Sequence, residues 1–220
     1  MPNTSLKAQN LPHLRLFVCV HATVAFYIAL GTPTSGDALW TLATADWTKA
    51  SGVLLAGLVV MFLNGLPSRK LKTRLVFLRW RNPEPACRAF TDARPDPRLR
   101  PDDLRCLAGD PLPTSANAQN AAWYKLYQAF ESHPSVRTNH REYLLFRDLS
   151  WLSLAAGTVG VMTTVLASGG IERRHIIYAS ASFATLIACI IVAQRHGERF
   201  VYTVLSVAAA KSLHPGASDE

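Results

Sequence analysis

The chain alternates long apolar stretches with a polar, Arg-rich middle region. Four stretches are almost free of charge: residues 14–31, 51–66, 149–168 and 176–193. A helix needs roughly 20 apolar residues to cross the hydrocarbon core of a bilayer. The third stretch meets that length, the fourth nearly does, and the first two reach it with flanking residues. The pattern predicts two transmembrane helix pairs, residues 12–66 and 149–194, separated by a loop region of residues 67–148 and followed by a tail of residues 195–220.

The alternative to membrane helices is a soluble helical bundle. Surface helices of soluble bundles carry a polar face, whereas the third and fourth stretches have no charged residue at all. We therefore expect an all-α fold, a four-helix transmembrane bundle with a helical and irregular insertion between spans two and three. The first stretch also has a basic start and the small residues Ala29 and Gly31, so a cleaved signal peptide is an alternative interpretation of that segment.

Positive charge is distributed unevenly along the chain. The net charge is +8, and 20 of the 23 Lys and Arg residues lie before the first stretch or within its start, in the middle loop, or in the tail. Positive residues are retained on the cytoplasmic side of membrane proteins. We expect a multi-pass protein of the bacterial inner membrane with both termini and the middle loop in the cytoplasm, although Arg173 and Arg174 oppose this orientation. Because orientation explains the charge, no nucleic acid partner is expected.

The segment directly after the second stretch has two faces. Leu71, Leu75 and Leu78 form an apolar stripe, and the basic residues at its side are Lys70, Lys72 and Arg74. A basic amphipathic helix next to a span is typical of an interfacial helix that binds anionic lipid. We expect residues 68–80 to form such a helix, with membrane lipids as its partners. The alternative is a solvated continuation of span two.

Residues 82–113 contain seven prolines and two of the four cysteines. We expect an ordered but irregular loop with one short helix from Pro101 to Gly109, because proline is favoured at the first helical position and glycine after the last. Disorder is the alternative. The chain has no C-x-x-C pair, so the cysteine pattern indicates free thiols on a reducing cytoplasmic face.

An aromatic face follows the irregular loop. Trp123, Leu126, Tyr127 and Phe130 fall at i, i+3, i+4 and i+7, which places them on one side of a helix. That helix is expected to start at a cap among residues 114–117 and to end near residue 133. Pro134 then starts a second helix, about 35 residues long, that continues into the third apolar stretch.

The two helices joined at residues 132–134 are expected to form a hairpin. In that hairpin the aromatic face packs on Val136, Tyr143 and Leu144. The alternative is that the face is exposed and docks a partner protein, as Trp often does at interfaces.

After span four, residues 195–199 form a polar break. The apolar residues 200–210 that follow are too few to cross a membrane. They either lie on the bilayer or join the hairpin.

Few residues suggest chemistry. His21 lies inside a predicted span, where an ionisable group is a functional hypothesis by default; the alternative is a neutral imidazole bonded to a neighbouring helix. His133, His140 and Glu142 cluster in the sequence, but residues 140 and 142 face different sides of a helix, and we expect a surface location for them. None of the common metal, phosphate or nucleophile motifs occurs, so the sequence assigns no catalytic residue, metal ligand or cofactor.

The stretch Asn82-Pro-x-Pro, Arg88-Ala-Phe90 and Gln119-Asn-x-x-Trp-Tyr-x-Leu-Tyr127 resembles loops of small bacterial multi-pass membrane proteins. The resemblance covers residues 82–148, carries no sharp motif and implies no activity. The sequence favours a membrane-anchored interaction or scaffold module that binds a cytoplasmic protein through its loop. The alternatives are a homo-oligomeric pore or transporter subunit and a membrane-bound enzyme.

Overall fold

A computed structural model describes residues 5–30, 55, 58–91 and 98–213 of the chain. Throughout these residues the fold is all-α, with no strand. The helices are α1 (Leu6–Leu30), α2 (Arg69–Phe77), a short 3₁₀ helix (Pro85–Arg88), α3 (Pro101–Ala108), α4 (Ala116–Phe130), α5 (Pro134–Ser168) and α6 (Arg173–Leu213).

Three of these helices, α1, α5 and α6, are long and apolar enough to cross a membrane. Their most apolar windows have mean hydropathies of 1.4, 1.5 and 2.3. These three helices indicate a membrane protein. Of the second predicted span, residues 51–66, the structure describes 55 and 58–66, and of these 55 and 58–65 are helical.

Helix α5 confirms that one continuous helix runs from Pro134 into the third apolar stretch. It is 35 residues long and begins with Pro134, which is suited to the first helical turn because its missing N–H has no helical partner there. No glycine–proline break interrupts residues 135–148, so the helix that starts in the loop region also enters the apolar segment.

The predicted polar break at residues 195–199 is wrong, because α6 runs through it without interruption for 41 residues. Arg, His and Glu are compatible with a helix, and one interior glycine costs only about 1 kcal/mol. Gly197 also allows close packing of aromatic rings against α6. A Cβ placed on it would lie 2.9 Å from Cζ of Phe77 and 3.1 Å from Cε2 of Tyr143, so only glycine allows these rings to approach the helix this closely.

The chain divides into two compact units. Unit 1 comprises Met1–Ser68 and Arg147–Ile190, and unit 2 comprises Arg69–Phe146 and Ile191–Glu220. Helices α5 and α6 each contribute residues to both units. The middle loop region and the tail, which are far apart in sequence, therefore belong to the same unit.

Unit 1 has a small core and a large apolar surface. Helix α1 turns Ala25 and Ala29 towards Tyr178 of α6, and the Trp151 indole donates to the carbonyl of Leu63 over 3.0 Å. Many large apolar side chains of this unit remain exposed, as expected for side chains that face lipid rather than water. They include Leu16, Val20, Phe62, Leu66, Met162, Leu166, Ile176, Ile177 and Phe183.

Unit 2 has a contiguous aromatic and aliphatic core to which every one of its described helices contributes. The buried members are Ala86, Ala89, Phe90, Leu104, Trp123, Val136, Tyr143, Phe200, Val201, Val204 and Leu205, with Phe77 of α2 packed against them. The described parts of the proline-rich segment, residues 82–91 and 98–113, thus supply core residues. Helix α3 occupies the predicted position between Pro101 and Gly109.

Helix α2 is shorter than the predicted interfacial helix of residues 68–80. It ends at Phe77, and Leu78 adopts a left-handed backbone with φ of 52°. This conformation ends many helices, although glycine is the usual residue there. The chain therefore turns away before Trp80.

Candidate functional site

Trp123 lies at the centre of unit 2 with only 5% of its surface exposed. Its indole stacks on Tyr127 at 5.5 Å between ring centroids and meets Phe200 edge-on at 5.2 Å. The indole N–H donates to the carbonyl of Val201 over 3.2 Å. The main partner of Trp123 is therefore α6.

The other predicted contacts of the aromatic face divide into two groups. Val136 and Tyr143 belong to the same core as Trp123, whereas Leu144 is only half-buried and is not among the buried core residues. Leu126 and Tyr127 pack against this core as half-buried residues. Phe130 is also half-buried, at the end of α4, with the Lys211 ammonium 5.9 Å from its ring centroid.

Tyr127 connects this core to His140. Its hydroxyl lies 3.1 Å from Nδ1 of His140, whose ring stacks on Phe200 at a centroid distance of 4.5 Å. Burial raises the pKa of Tyr127, and the nearby charge of Glu131 acts in the same direction. The hydroxyl therefore keeps its proton at neutral pH and can donate a hydrogen bond to Nδ1 of His140 in the tautomer that leaves this nitrogen unprotonated.

The three residues His133, His140 and Glu142 do not form a joint site. His140 contacts Tyr127 and Phe200, whereas Oε2 of Glu142 lies 3.1 Å from Nδ1 of His196 on α6. No group of three His, Cys, Asp or Glu in the described ranges is placed to hold a metal ion. The four cysteines are free, and burial, reinforced by Glu84, raises the pKa of Cys87 and keeps it a thiol.

A cavity of about 340 Å³ opens beside the core of unit 2. Its apolar wall consists of Trp123, Tyr143, Phe200, Val201, Pro85 and Ala86, and its polar lining consists of Arg69, Glu84, Asn120 and Tyr124. Nε of Arg69 and Oε1 of Glu84 are 3.7 Å apart. This cavity is not evident from the sequence, because its lining comes from α2, α4, α5, α6, the 3₁₀ helix and Glu84 directly before it.

Gln119 is a second feature that the sequence does not reveal. Its side chain is 2% exposed, and its Oε1 accepts hydrogen bonds from the Phe90 N–H at 3.1 Å and the Thr91 hydroxyl at 3.3 Å. Its amide nitrogen donates to the Thr91 hydroxyl and to the carbonyl of Thr114, both at 3.2 Å. Gln119 thereby fixes the segment around the 3₁₀ helix to the start of α4, which Ser115 caps.

His21 lies in unit 1, next to Tyr178 of α6. Nδ1 of His21 is 3.4 Å from the Tyr178 hydroxyl, and its ring packs against Phe17. His21 and Tyr178 border a cavity of about 20 Å³ that Thr163 and Gly160 also line, enough for roughly one water molecule. Gly160 makes room for the Tyr178 ring, because a Cβ there would lie 2.9 Å from Cε1 of that ring.

The three basic residues of α2 have different environments. Lys70 is exposed, and the guanidinium of Arg74 lies 5.7 Å from the ring centroid of Trp80. Lys72 is only 6% exposed, so it does not face lipid as predicted. The reason is the helix register, since α2 turns Lys72, Thr73 and Val76 inward.

Unit 1 contains a charged pair at the point where α5 becomes apolar. Arg147 and Asp148 are buried, with Nη2 and Oδ1 3.1 Å apart. Both residues lie at the end of the predicted loop region of residues 67–148. The sequence feature that indicates this buried pair is an Arg-Asp dipeptide directly before an uncharged stretch. A charged side chain can be buried at such a position only with an oppositely charged partner.

The fold and these sites together define a membrane protein that carries a compact helical unit with its own aromatic core. No family model, curated protein or solved structure matches this chain.

Proposed function

We propose that this chain is a multi-pass inner-membrane protein that acts as an interaction or scaffold module through unit 2. The observation that carries the proposal is the separate core of unit 2, built around Trp123 and Phe200 from the middle loop and the end of α6. A connecting loop without a binding role does not need a core of this size. A folded unit attached to apolar helices can hold a partner at the membrane surface.

The proposed membrane arrangement has four spans, with residues 51–66 as the second. Both termini and residues 67–148 lie in the cytoplasm. The support is the charge distribution, since 20 of the 23 basic residues fall in those regions or, in the case of Arg15, at the start of the first span, and positive residues near spans are retained in the cytoplasm.

Cysteine labelling checks this topology. In a variant without the four natural cysteines, we expect a membrane-impermeant maleimide to label Gly170→Cys in intact cells but not Asp103→Cys. Gly170 lies between α5 and α6 with open space at its Cβ position, and Asp103 is partly exposed on α3. Both sites should react after the cells are opened. Labelling of Asp103→Cys in intact cells would contradict a cytoplasmic unit 2.

Site-specific photo-crosslinking tests the interaction function. A crosslinking amino acid replaces Tyr124, which is half exposed on unit 2, or Ile177, which is exposed on the apolar part of α6. We expect a discrete adduct with a second protein at position 124 in intact cells and lipid adducts at position 177. The proposal fails if position 124 yields no protein adduct.

A homo-oligomeric pore or transporter subunit is the second candidate function. The observation in its favour is the polar pair of His21 and Tyr178 beside a small cavity within apolar helices, because polar groups inside membrane helices often mark transport pathways. Adducts exclusively between copies of this chain, at both crosslinking positions, would favour this alternative over the scaffold.

A further inference from the structure

We propose that the cavity of unit 2 binds a small zwitterion, a molecule with an ammonium group, an anionic group and an apolar body. This inference goes beyond the proposed scaffold function and does not depend on a protein partner. The cavity lies wholly within unit 2, so its geometry depends only on the core already described.

The size and walls of the cavity suit a small molecule. Its volume of about 340 Å³ falls within the range of roughly 300–1,000 Å³ that is usual for ligand pockets. The rings of Trp123, Tyr143 and Phe200 form its wall and are themselves buried in the core. Because these rings are held by packing on three helices, the apolar surface offered to a ligand exists before the ligand arrives.

The polar lining supplies one group of each charge. The side chain of Glu84 is 25% exposed and that of Arg69 is 69% exposed. Their single contact of 3.7 Å is long, and ion pairs that remain accessible to solvent contribute little to stability. A ligand can therefore separate them with little loss. The Asn120 amide, which has no hydrogen bond to another described residue, adds a donor and an acceptor.

Each ligand group has a place in this arrangement. An ammonium fits beside Glu84 and the neighbouring aromatic rings, which attract cations through their faces. A carboxylate or phosphate fits the planar fork of Arg69, which binds such groups through paired hydrogen bonds. The apolar body then lies on the rings of Trp123, Tyr143 and Phe200.

Ligands with a different charge pattern match the cavity less well. A wholly apolar molecule would desolvate Glu84 and Asn120 without replacing their hydrogen bonds with water, which is unfavourable. A simple anion satisfies Arg69 but meets the carboxylate of Glu84. A simple cation pairs with Glu84 but is repelled by the guanidinium of Arg69. Only a zwitterion pairs with both charges at once.

A matched set of probes tests the charge pattern on the full-length protein in detergent micelles. The probes are phenylalanine, phenethylamine, 3-phenylpropionate and glycine, and binding is measured by titration calorimetry. We expect phenylalanine to bind at least about tenfold more tightly than each of the other three, since each lacks one charged group or the apolar body. Equal binding of the three aromatic probes, or no binding of phenylalanine at millimolar concentration, would overturn the proposal.

Variants of the lining tie that binding to the cavity. Glu84→Gln should weaken phenylalanine binding about tenfold, and Arg69→Gln about threefold because Arg69 is more exposed. The control is Arg105→Gln, which removes the exposed Arg105–Asp102 pair, 3.3 Å apart on α3, away from the cavity lining. If the two cavity variants behave like the control while all three unfold at the wild-type temperature, the site is elsewhere and the inference is wrong.

A zwitterionic lipid headgroup has the same chemistry as a free zwitterion. The two sources are separated by repeating the titration in nanodiscs of phosphatidylglycerol alone and of phosphatidylglycerol with phosphatidylethanolamine. Equal phenylalanine affinity in both supports a soluble ligand. Competition by phosphatidylethanolamine that Glu84→Gln abolishes supports a lipid headgroup in the same cavity. Competition by phosphatidylethanolamine that persists in Glu84→Gln would show that the headgroup does not bind at Glu84, and it would contradict the proposed site.

Discussion

Replacing Trp123 with alanine should make unit 2 unstable while the apolar helices still insert. The indole packs against Tyr127 and Phe200 and donates to the Val201 carbonyl. Substitution of a core tryptophan by alanine typically costs about 3–5 kcal/mol, which is a large part of the stability of a small folded unit. Limited proteolysis of the purified protein should therefore cut the variant within residues 69–146 under conditions that leave the wild type intact.

Lys125→Ala is the matched control for this experiment, because Lys125 lies two residues further along α4 and is exposed. It should be cleaved no faster than the wild type. If Trp123→Ala were as resistant to protease as Lys125→Ala, the indole would not hold the core. That result would favour the alternative in which Trp123 serves an exposed partner face.

Local features of the sequence were sufficient to predict α4, α5 and the position of α3. Each has a local signal: a face at helical spacing in α4, Pro134 at the first turn of α5, and Pro101 with Gly109 around α3. Such signals act within a few residues, so they can be read from one sequence without knowledge of the tertiary fold.

The partner of the aromatic face was not predictable in the same way. Residues 200–210 are too few to span a membrane, and the sequence leaves open whether they lie on the bilayer or join the hairpin. The polar residues before them suggest a break that α6 does not have. In the structure α6 continues through Gly197, and this brings Phe200 and Val201 to Trp123. The deciding contact is the approach of Phe77 and Tyr143 to Gly197, a long-range packing effect with no local sequence signature.

The cavity, too, results from long-range packing that has no local sequence signature. Arg69, Glu84, Asn120 and Tyr143 lie on separate segments, and nothing in their local sequence relates them. Conversely, Lys72 belongs to a basic segment that is typical of lipid-facing helices, but its position along α2 places it on the buried side of that helix. The register of α2 places Lys72, Thr73 and Val76 on its buried side, so composition alone assigns the wrong face.

Replacing Gln119 with leucine should destabilise the segment around the 3₁₀ helix. Leucine keeps most of the buried volume but removes every hydrogen bond of the amide. The Phe90 N–H and the Thr114 carbonyl then lose their partner. The bond from the Phe90 N–H is buried, whereas the bond to the Thr114 carbonyl is only part-buried. A buried polar group left without a partner costs about 1–3 kcal/mol, so the variant should lose roughly 1–3 kcal/mol. Hydrogen exchange should show faster exchange of the Phe90 amide, and thermal unfolding should shift to lower temperature.

Gln128→Leu provides the control on the same helix. It replaces the same residue type with leucine, but Gln128 is exposed on α4. It should leave both the Phe90 exchange rate and the unfolding temperature near their wild-type values. Gln119→Glu adds a further test. It retains the acceptor for the Phe90 N–H but loses the donor to the Thr114 carbonyl, so protection of Phe90 should be greater than in Gln119→Leu. Unchanged exchange at Phe90 in Gln119→Leu would show that this side chain does not hold the irregular segment against α4.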